Sequence, residues 1–488
     1  MKIRPSKPDF DSPLKVAGVV AVVLLAMGAL TALWPERNPQ IGSWEIKWKS
    51  WNALWQKDTL SEVDLAAMEK ERVADSIRLS SLQGAQDSLN LVLELKAKDP
   101  AQLHIPQKKP DVLNAFFQQL DSLEKGQRPA PFVRIMHWGD SQIEIDRISD
   151  VLRNELQARF GGIGPGLLPI QQTIPTATVG QTENGSLRRY LLWGPPSGRH
   201  AAHRSYGPLL SFSKMDSGRV ELRFSKGMSA TAASGTFSKV VLLTGHRNSD
   251  LQVSASTGFS QTLPAGPGLQ SAAIKTGEPL KQISISLQSD SGAVLYGISL
   301  TGSSGVVVDN LPMRGCSGTI FTGTDAASMA QGLKALDADV LLMEFGGNMI
   351  PSLSGEYSAQ QYAATMGKQI DFLKRNSRNL PIVFMGPSDM AIFKAGNWQT
   401  HPFLPQFVQI LKDTVLAHGA VYFDMMAAMG GSQSMLAWVK ASPQLAVGDY
   451  IHFSNRGARK MGQIFHAALM KEYQLYQLKK RVKTIQKK

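Results

Sequence analysis

The stretch "RIMHWGDSQIEIDRI", Arg134 to Ile148, decides how the rest of the chain is read. An apolar, strand-like run, "FVRIMHW" from Phe132, stops on Gly139-Asp140-Ser141. From Ile145 the apolar positions step to Ile148, Leu152, Leu156 and Phe160. Steps of three and four mark one buried face of a helix, so the stretch reads as a β-to-α turn that passes into a helix and carries a hydroxyl at the junction. Serine also caps helices well. Ser141 therefore gains chemical meaning only if distant segments converge on it.

Further along, "GVVVDN" (Gly305 to Asn310), "DVLLMEF" (Asp339 to Phe345), "PIVFMG" (Pro381 to Gly386) and "AVYFD" (Ala420 to Asp424) are near-continuous apolar runs separated by helical stretches. Runs of this kind belong to parallel strands covered on both faces. With the strand at Phe132 they predict an α/β fold: a three-layer α/β/α sandwich around a five-stranded parallel sheet. Between residues 171 and 302 the texture changes to short strands such as "RVELRFS", "KVVLLTG", "QISISLQ" and "AVLYGISL", separated by turn residues. This predicts an antiparallel β-sandwich inserted into the α/β unit. The expected parts are residues 111–170 and 303–475 for the α/β unit, opened by a helix from about Asp111 to Leu123, and 171–302 for the insert.

The chain has 488 residues, 43% hydrophobic and 19% charged, which is globular composition with room for more than one folded unit. Residues 16–34, "VAGVVAVVLLAMGALTALW", carry no charge and would span about 28 Å as a helix, close to the hydrocarbon thickness of a bilayer. Lys2, Arg4, Lys7 and Lys15 in the preceding residues 1–15 keep the N-terminus cytoplasmic by the positive-inside rule and export the rest of the chain. We read an uncleaved single-pass anchor, with a cleaved signal peptide as the alternative. Residues 35–110 hold Trp44, Trp48, Trp51 and Trp55 at helix-like spacing near the membrane, then a polar helical stalk. The single cysteine, Cys316, excludes an intrachain disulfide, which suits a bacterial envelope protein. Part of the net charge of +13 sits in a basic tail, residues 476–488. An exported chain meets anionic lipid or wall polymer before nucleic acid, so no nucleic-acid partner is expected.

The loops after the strands carry the chemistry. The first strand ends at Ser141, the second is followed by "LPMRGCSG" with Gly318, and the third by "GGN" with Asn348. In a doubly wound sheet these loops open on one edge, and the order 2-1-3-4-5 sets the second and third strands on either side of the first. A hydroxyl then lies between amide donors, which is what acyl transfer needs. "GDYIHFSNRGARKMG" supplies a base, His452, and a carboxylate, Asp449, ahead of a helix from about Ser454.

Gly139-Asp140-Ser141, Gly318, Gly346-Gly347-Asn348 and Asp449-Tyr450-Ile451-His452, in this order, resemble the four blocks of the SGNH (GDSL-like) hydrolases. Within that superfamily the chain resembles envelope peptidoglycan O-acetylesterases, which carry a β-sandwich between the first two blocks. "FGGIGPG", "GPSDM" and "AMGG" are weaker matches to the same group. The resemblance implies an acyl-serine at Ser141, His452 as base then acid, Asp449 orienting it, and an oxyanion hole from Ser141, Gly318 and Asn348. Gly315 competes with Gly318 for the second block. The first block reads G-D-S-Q where relatives carry G-D-S-L, and Met349 stands where relatives often carry an acid.

The implied substrate is an acylated envelope glycan, met by a catalytic domain in the periplasm of a bacterium and tethered to the inner membrane. Transfer of the acyl group to a sugar, beside a membrane-bound O-acyltransferase, is a rival reading, and a glycan-binding scaffold with a silent site is another. Arg199, His200, His203 and Arg204 in "SGRHAAHRSYG" are candidates for lining a substrate groove. His137 reads as a core residue. No phosphate-binding glycine loop or zinc-binding motif occurs in its required context, so neither a cofactor nor a metal is expected.

Overall fold

The computed structural model describes residues 13–33, 40, 41, 44, 45, 62–194, 201 and 203–487, which fall into two units, residues 1–83 and 84–488. In the first unit Pro13–Leu33 forms a 21-residue helix. Its span Leu14–Leu33 is long and apolar enough to cross a membrane. Gln40–Ile41 pairs antiparallel with Trp44–Glu45, so the helical spacing of the tryptophans does not reach back to Trp44. Trp48, Trp51 and Trp55 lie outside the described residues. The expected stalk contains one 36-residue helix, Glu62–Ala97.

The second unit is built on a six-stranded sheet in the order Gly305–Pro312, Phe132–Gly139, Val340–Glu344, Ile382–Met385, Val421–Phe423, Leu103–His104. The first five run parallel, and the strand bearing the Gly-Asp-Ser lies between the second and third strands of the α/β unit. The sixth, Leu103–His104, pairs antiparallel with Phe423 and Tyr422, one strand more than the sequence pattern predicts. Two residues are too few to show any periodicity, and they fall within the segment read as stalk. The fold is α/β, with an apolar helix near the N-terminus. Every residue of Val340–Glu344, Ile382–Met385 and Val421–Phe423 is buried, because helices cover both faces of the sheet.

Residues between Val179 and Thr301 form two antiparallel sheets. Val220, Leu222, Ile283 and Ile285 of one share a core with Val240, Leu242, Ile298 and Leu300 of the other. The second sheet is buried on its far side too, where Phe212, Val241, Leu243 and Tyr296 join the core of the α/β unit around Met136 and Trp138. That double burial explains why "KVVLLTG" is apolar without alternation. Gly166–Leu168, placed by sequence before the insert, pairs with Ile298–Leu300 within it.

Two further boundaries differ from the sequence reading. The helix at Asp111 begins at Asn114 and ends at Glu124. The basic residues read as a tail continue the last helix, Asn455–Lys487, and Lys480 bonds Asp121 at 2.7 Å. Lys471 and Lys96 pair with Asp99 and Glu472 respectively.

Candidate active site

Ser141 does not pass straight into the long helix. Ser141–Asp146 is a 3-10 segment in which Glu144 has an extended backbone and Ile145 the left-handed φ of 64°, and the helix starts only at Ser149. Asp140, not Ser141, caps this segment, its carboxylate accepting the Gln142 amide at 2.9 Å. Gly139 permits the tight exit from the strand: a Cβ there would come within 2.8 Å of Glu344 Oε2 and 2.9 Å of Ile143 Cδ1. The serine is thereby lifted off the sheet edge with its hydroxyl uncommitted to capping.

His452 Nε2 lies 2.8 Å from Ser141 Oγ, and His452 Nδ1 lies 2.7 Å from Asp449 Oδ2. With a carboxylate on Nδ1, that nitrogen carries the proton and Nε2 is free to accept from serine. Asp449 Oδ1 also accepts the amides of Ile451 and His452, at 2.9 and 3.0 Å. Burial works to raise the Asp449 pKa, but the bonds from His452 and Ile451 outweigh it and hold the carboxyl below its ordinary value.

The donors around the serine are arranged differently from the sequence expectation. The cavity of about 610 Å³ around Ser141 is lined by Gly315 and Asn348, not by Gly318. Gly318, at φ 81°, is packed against the Phe345 ring, and its amide donates to Cys316 Sγ at 3.3 Å. Gly315 makes no hydrogen bond through its amide among the described residues. Asn348 lines the cavity, yet its side-chain amide already donates to Asp140 Oδ2 at 3.0 Å and to the Cys316 carbonyl at 3.2 Å.

Three further groups at this site are not among the sequence candidates. Gln142 is buried, its Nε2 donating to the Ile451 carbonyl at 2.8 Å and its Oε1 accepting the Phe453 amide at 3.1 Å. It grips the backbone on both sides of His452, so the departure from leucine at this place was the available signal. Arg147 donates to the carbonyls of Ser141, Glu144 and Phe453, joining the nucleophile turn to the base loop a second time. Glu344 is buried beneath the turn, and burial together with the Asp140 charge pushes its pKa well above the ordinary value. Burial likewise pushes Asp140 up to about 6, against the pull of the Gln142 amide, His452, Asn348 and Arg147.

The other candidates lie elsewhere. Arg204 is committed to the carbonyls of Gly323 and Thr322, at 2.8 and 2.6 Å, and His203 stacks on Phe212 at 5.2 Å. Neither lines the Ser141 cavity. Arg199 and His200 lie outside the described residues. His137 is fully buried, with Nδ1 2.9 Å from Ser149 Oγ, and burial lowers its pKa to about 3.

With this geometry established, comparison with known proteins gives a consistent class. Residues 291–460 match the GDSL-like Lipase/Acylhydrolase family, a segment that holds Gly315, Asn348, Asp449 and His452 and begins after Ser141. Those residues carry a GDSL-like acylhydrolase domain, which supports an SGNH-type hydrolase, an esterase by class. Among solved structures it is similar to a peptidoglycan O-acetylesterase, at 18% identity and a TM-score of 0.60, covering 74% of this chain and 96% of that one. At that identity the likeness is one of fold. It is also aligned with a family two carbohydrate esterase from Clostridium thermocellum, at 9% identity and a TM-score of 0.24, over 54% of this chain and 95% of that one. No curated protein matches the chain in sequence.

Proposed function

We propose that this protein removes O-acetyl groups from a cell-envelope glycan such as peptidoglycan, through an acyl-enzyme at Ser141. The observation that carries the reading is the unbroken relay from Ser141 through His452 to Asp449, at 2.8 and 2.7 Å, opening into a cavity with amide donors. His452 takes the serine proton as Oγ attacks the ester carbonyl, then returns it to the departing sugar oxygen. In the second half it takes a proton from water as the water oxygen attacks the acyl carbonyl, then gives that proton to Ser141 Oγ as the acid leaves. The Ser141 and Gly315 amides hold the oxyanion, and Asn348 joins them by giving up its longer bond to the Cys316 carbonyl. Each such donor is typically worth about 10² to 10³ in rate.

Hydrolysis is favoured over transfer by the exposure of the base: the His452 and Asp449 side chains are 33% and 42% exposed, so water reaches the acyl-enzyme. The similar fold of a peptidoglycan O-acetylesterase supports the choice of substrate class. The inserted sheets, read as a sandwich, help to hold the polymer. The N-terminal helix anchors the chain in the inner membrane with its catalytic unit in the periplasm. A membrane O-acyltransferase is a partner only in the transfer reading.

The purified chain should release acetate from an aryl acetate and from acetylated peptidoglycan, and Ser141→Ala should abolish both. Unchanged activity in that variant rejects the mechanism. Supplying a glycan acceptor and weighing the products separates acetate release from transfer.

A further inference from the structure

A second cavity adjoins that of Ser141 and takes no part in the reaction just described. It encloses about 410 Å³, and its apolar wall includes Leu167, Ile174, Leu191, Trp193, Leu209 and Leu311. Glu144, Ile145 and Arg314 line both cavities, so the two share a wall beside the nucleophile.

Five charged side chains line this second space, and four of them cancel. Arg314 Nη2 pairs with Glu144 Oε2 at 2.5 Å, and Arg153 Nη1 with Asp146 Oδ2 at 2.7 Å. Arg189 is left over. Its Nη1 donates to Thr173 Oγ1 at 2.9 Å, and among the described residues no carboxylate pairs with it. Burial, with no neighbouring charge to offset it, holds its guanidinium below the usual value. A partly desolvated cation without a counter-charge is unfavourable unless an anion arrives with a ligand. A neutral acyl chain would leave Arg189 unpaired, and a bare inorganic anion would leave the apolar wall wet. The complementary group is aliphatic and ends in one negative charge.

We propose that this cavity recognises an aliphatic carboxylate carried by the ester substrate, with the carboxylate on Arg189 and the carbon frame against Leu191, Leu209 and Leu311. The assignment of the ligand as part of the substrate rests on the esterase reading of Ser141. The carboxylate belongs either to the acyl side, as in a half-ester of a dicarboxylic acid, or to the alcohol side, as an acidic substituent on the sugar.

The test is calorimetric titration of the full chain carrying Ser141→Ala with glutarate, for the acyl side, and with N-acetylmuramic acid, for the alcohol side. N-acetylglucosamine is the sugar without a carboxylate. At least one acid should bind about tenfold or more tighter than N-acetylglucosamine, the effect of one charge-assisted contact. Whichever acid binds identifies the side. Arg189→Gln should erase that advantage and Arg189→Lys should keep most of it, which separates lost charge from lost fold. The proposal is overturned if neither acid outbinds the neutral sugar, or if the advantage survives Arg189→Gln. Because the titration needs no turnover, its failure leaves the esterase reading intact, and failure of the esterase assay leaves the titration interpretable.

Discussion

The two halves of the site are held in opposite ways. On the nucleophile side Asp140, Gln142 and Glu144 are 2%, 6% and 6% exposed, and the turn is fixed by a cap, a buried glycine and a packed sheet edge. On the base side Asp449 and His452 face solvent, and Asp449 mostly satisfies its own loop. What orders the base comes from across the gap, through Gln142 and Arg147. Rigid placement therefore resides in the serine turn, and the histidine is aligned against it.

The largest expected effect tests the chemistry common to both halves. Ser141→Ala should lower kcat/KM for an aryl acetate by about 10³-fold or more, with the thermal midpoint nearly unchanged. Asp449→Asn should cost about 10²-fold, because an exposed base retains water as a partial substitute for its carboxylate; a loss as severe as that of Ser141→Ala would make the base side as tightly preorganised as the serine side. Gln142→Ala sharpens the contrast. It should lower kcat by roughly 10-fold with KM little changed, since it removes alignment of His452 and no substrate contact. A rise in KM with unchanged kcat would show Gln142 to be a binding residue instead.

The smallest effect concerns stability. Asp140 has a folded pKa of about 6, above its ordinary 3.8, so the folded chain takes up a proton that the unfolded chain releases. Its burial therefore costs stability above pH 6 and costs progressively less as pH falls from 6 toward 3.8. Asp140→Asn, though poorly active, should be more stable than the wild type near pH 7, and melting curves should show that gap narrowing toward pH 4. A gap that widens on acidification contradicts the burial of a charged Asp140.

Sequence showed most where one physical cause dominates. The parallel strands were visible because burial on both faces leaves near-continuous apolar runs such as "DVLLMEF". Ser141, Asp449 and His452 stood out because each sits in a short block at a strand or helix boundary, and the structure brings their side chains together. The choice between Gly315 and Gly318 was not visible. Both have positive φ, and the difference lies in a Phe345 ring that only the folded chain brings to Gly318 and in the turn that directs the Gly318 amide to the Cys316 sulfur. Gln142 and Arg147 escaped because they act on backbone carbonyls and amides some 300 residues away, contacts that leave no spacing in the sequence. The extra edge strand was too short to read, and the charges of the last helix looked like a solvated tail because their partner, Asp121, lies far upstream.

Ile145 has a consequence of its own. A β-branched residue at φ 64° costs on the order of 1–3 kcal/mol, and this one is also 43% exposed, so burial returns only part of that cost. Glycine would be cheaper in the same backbone. Ile145→Gly should therefore raise the melting temperature while thinning the wall that Glu144, Ile145 and Arg314 form between the two cavities. An engineer selecting this protein for heat resistance alone would be drawn to that substitution, and would trade substrate discrimination for durability.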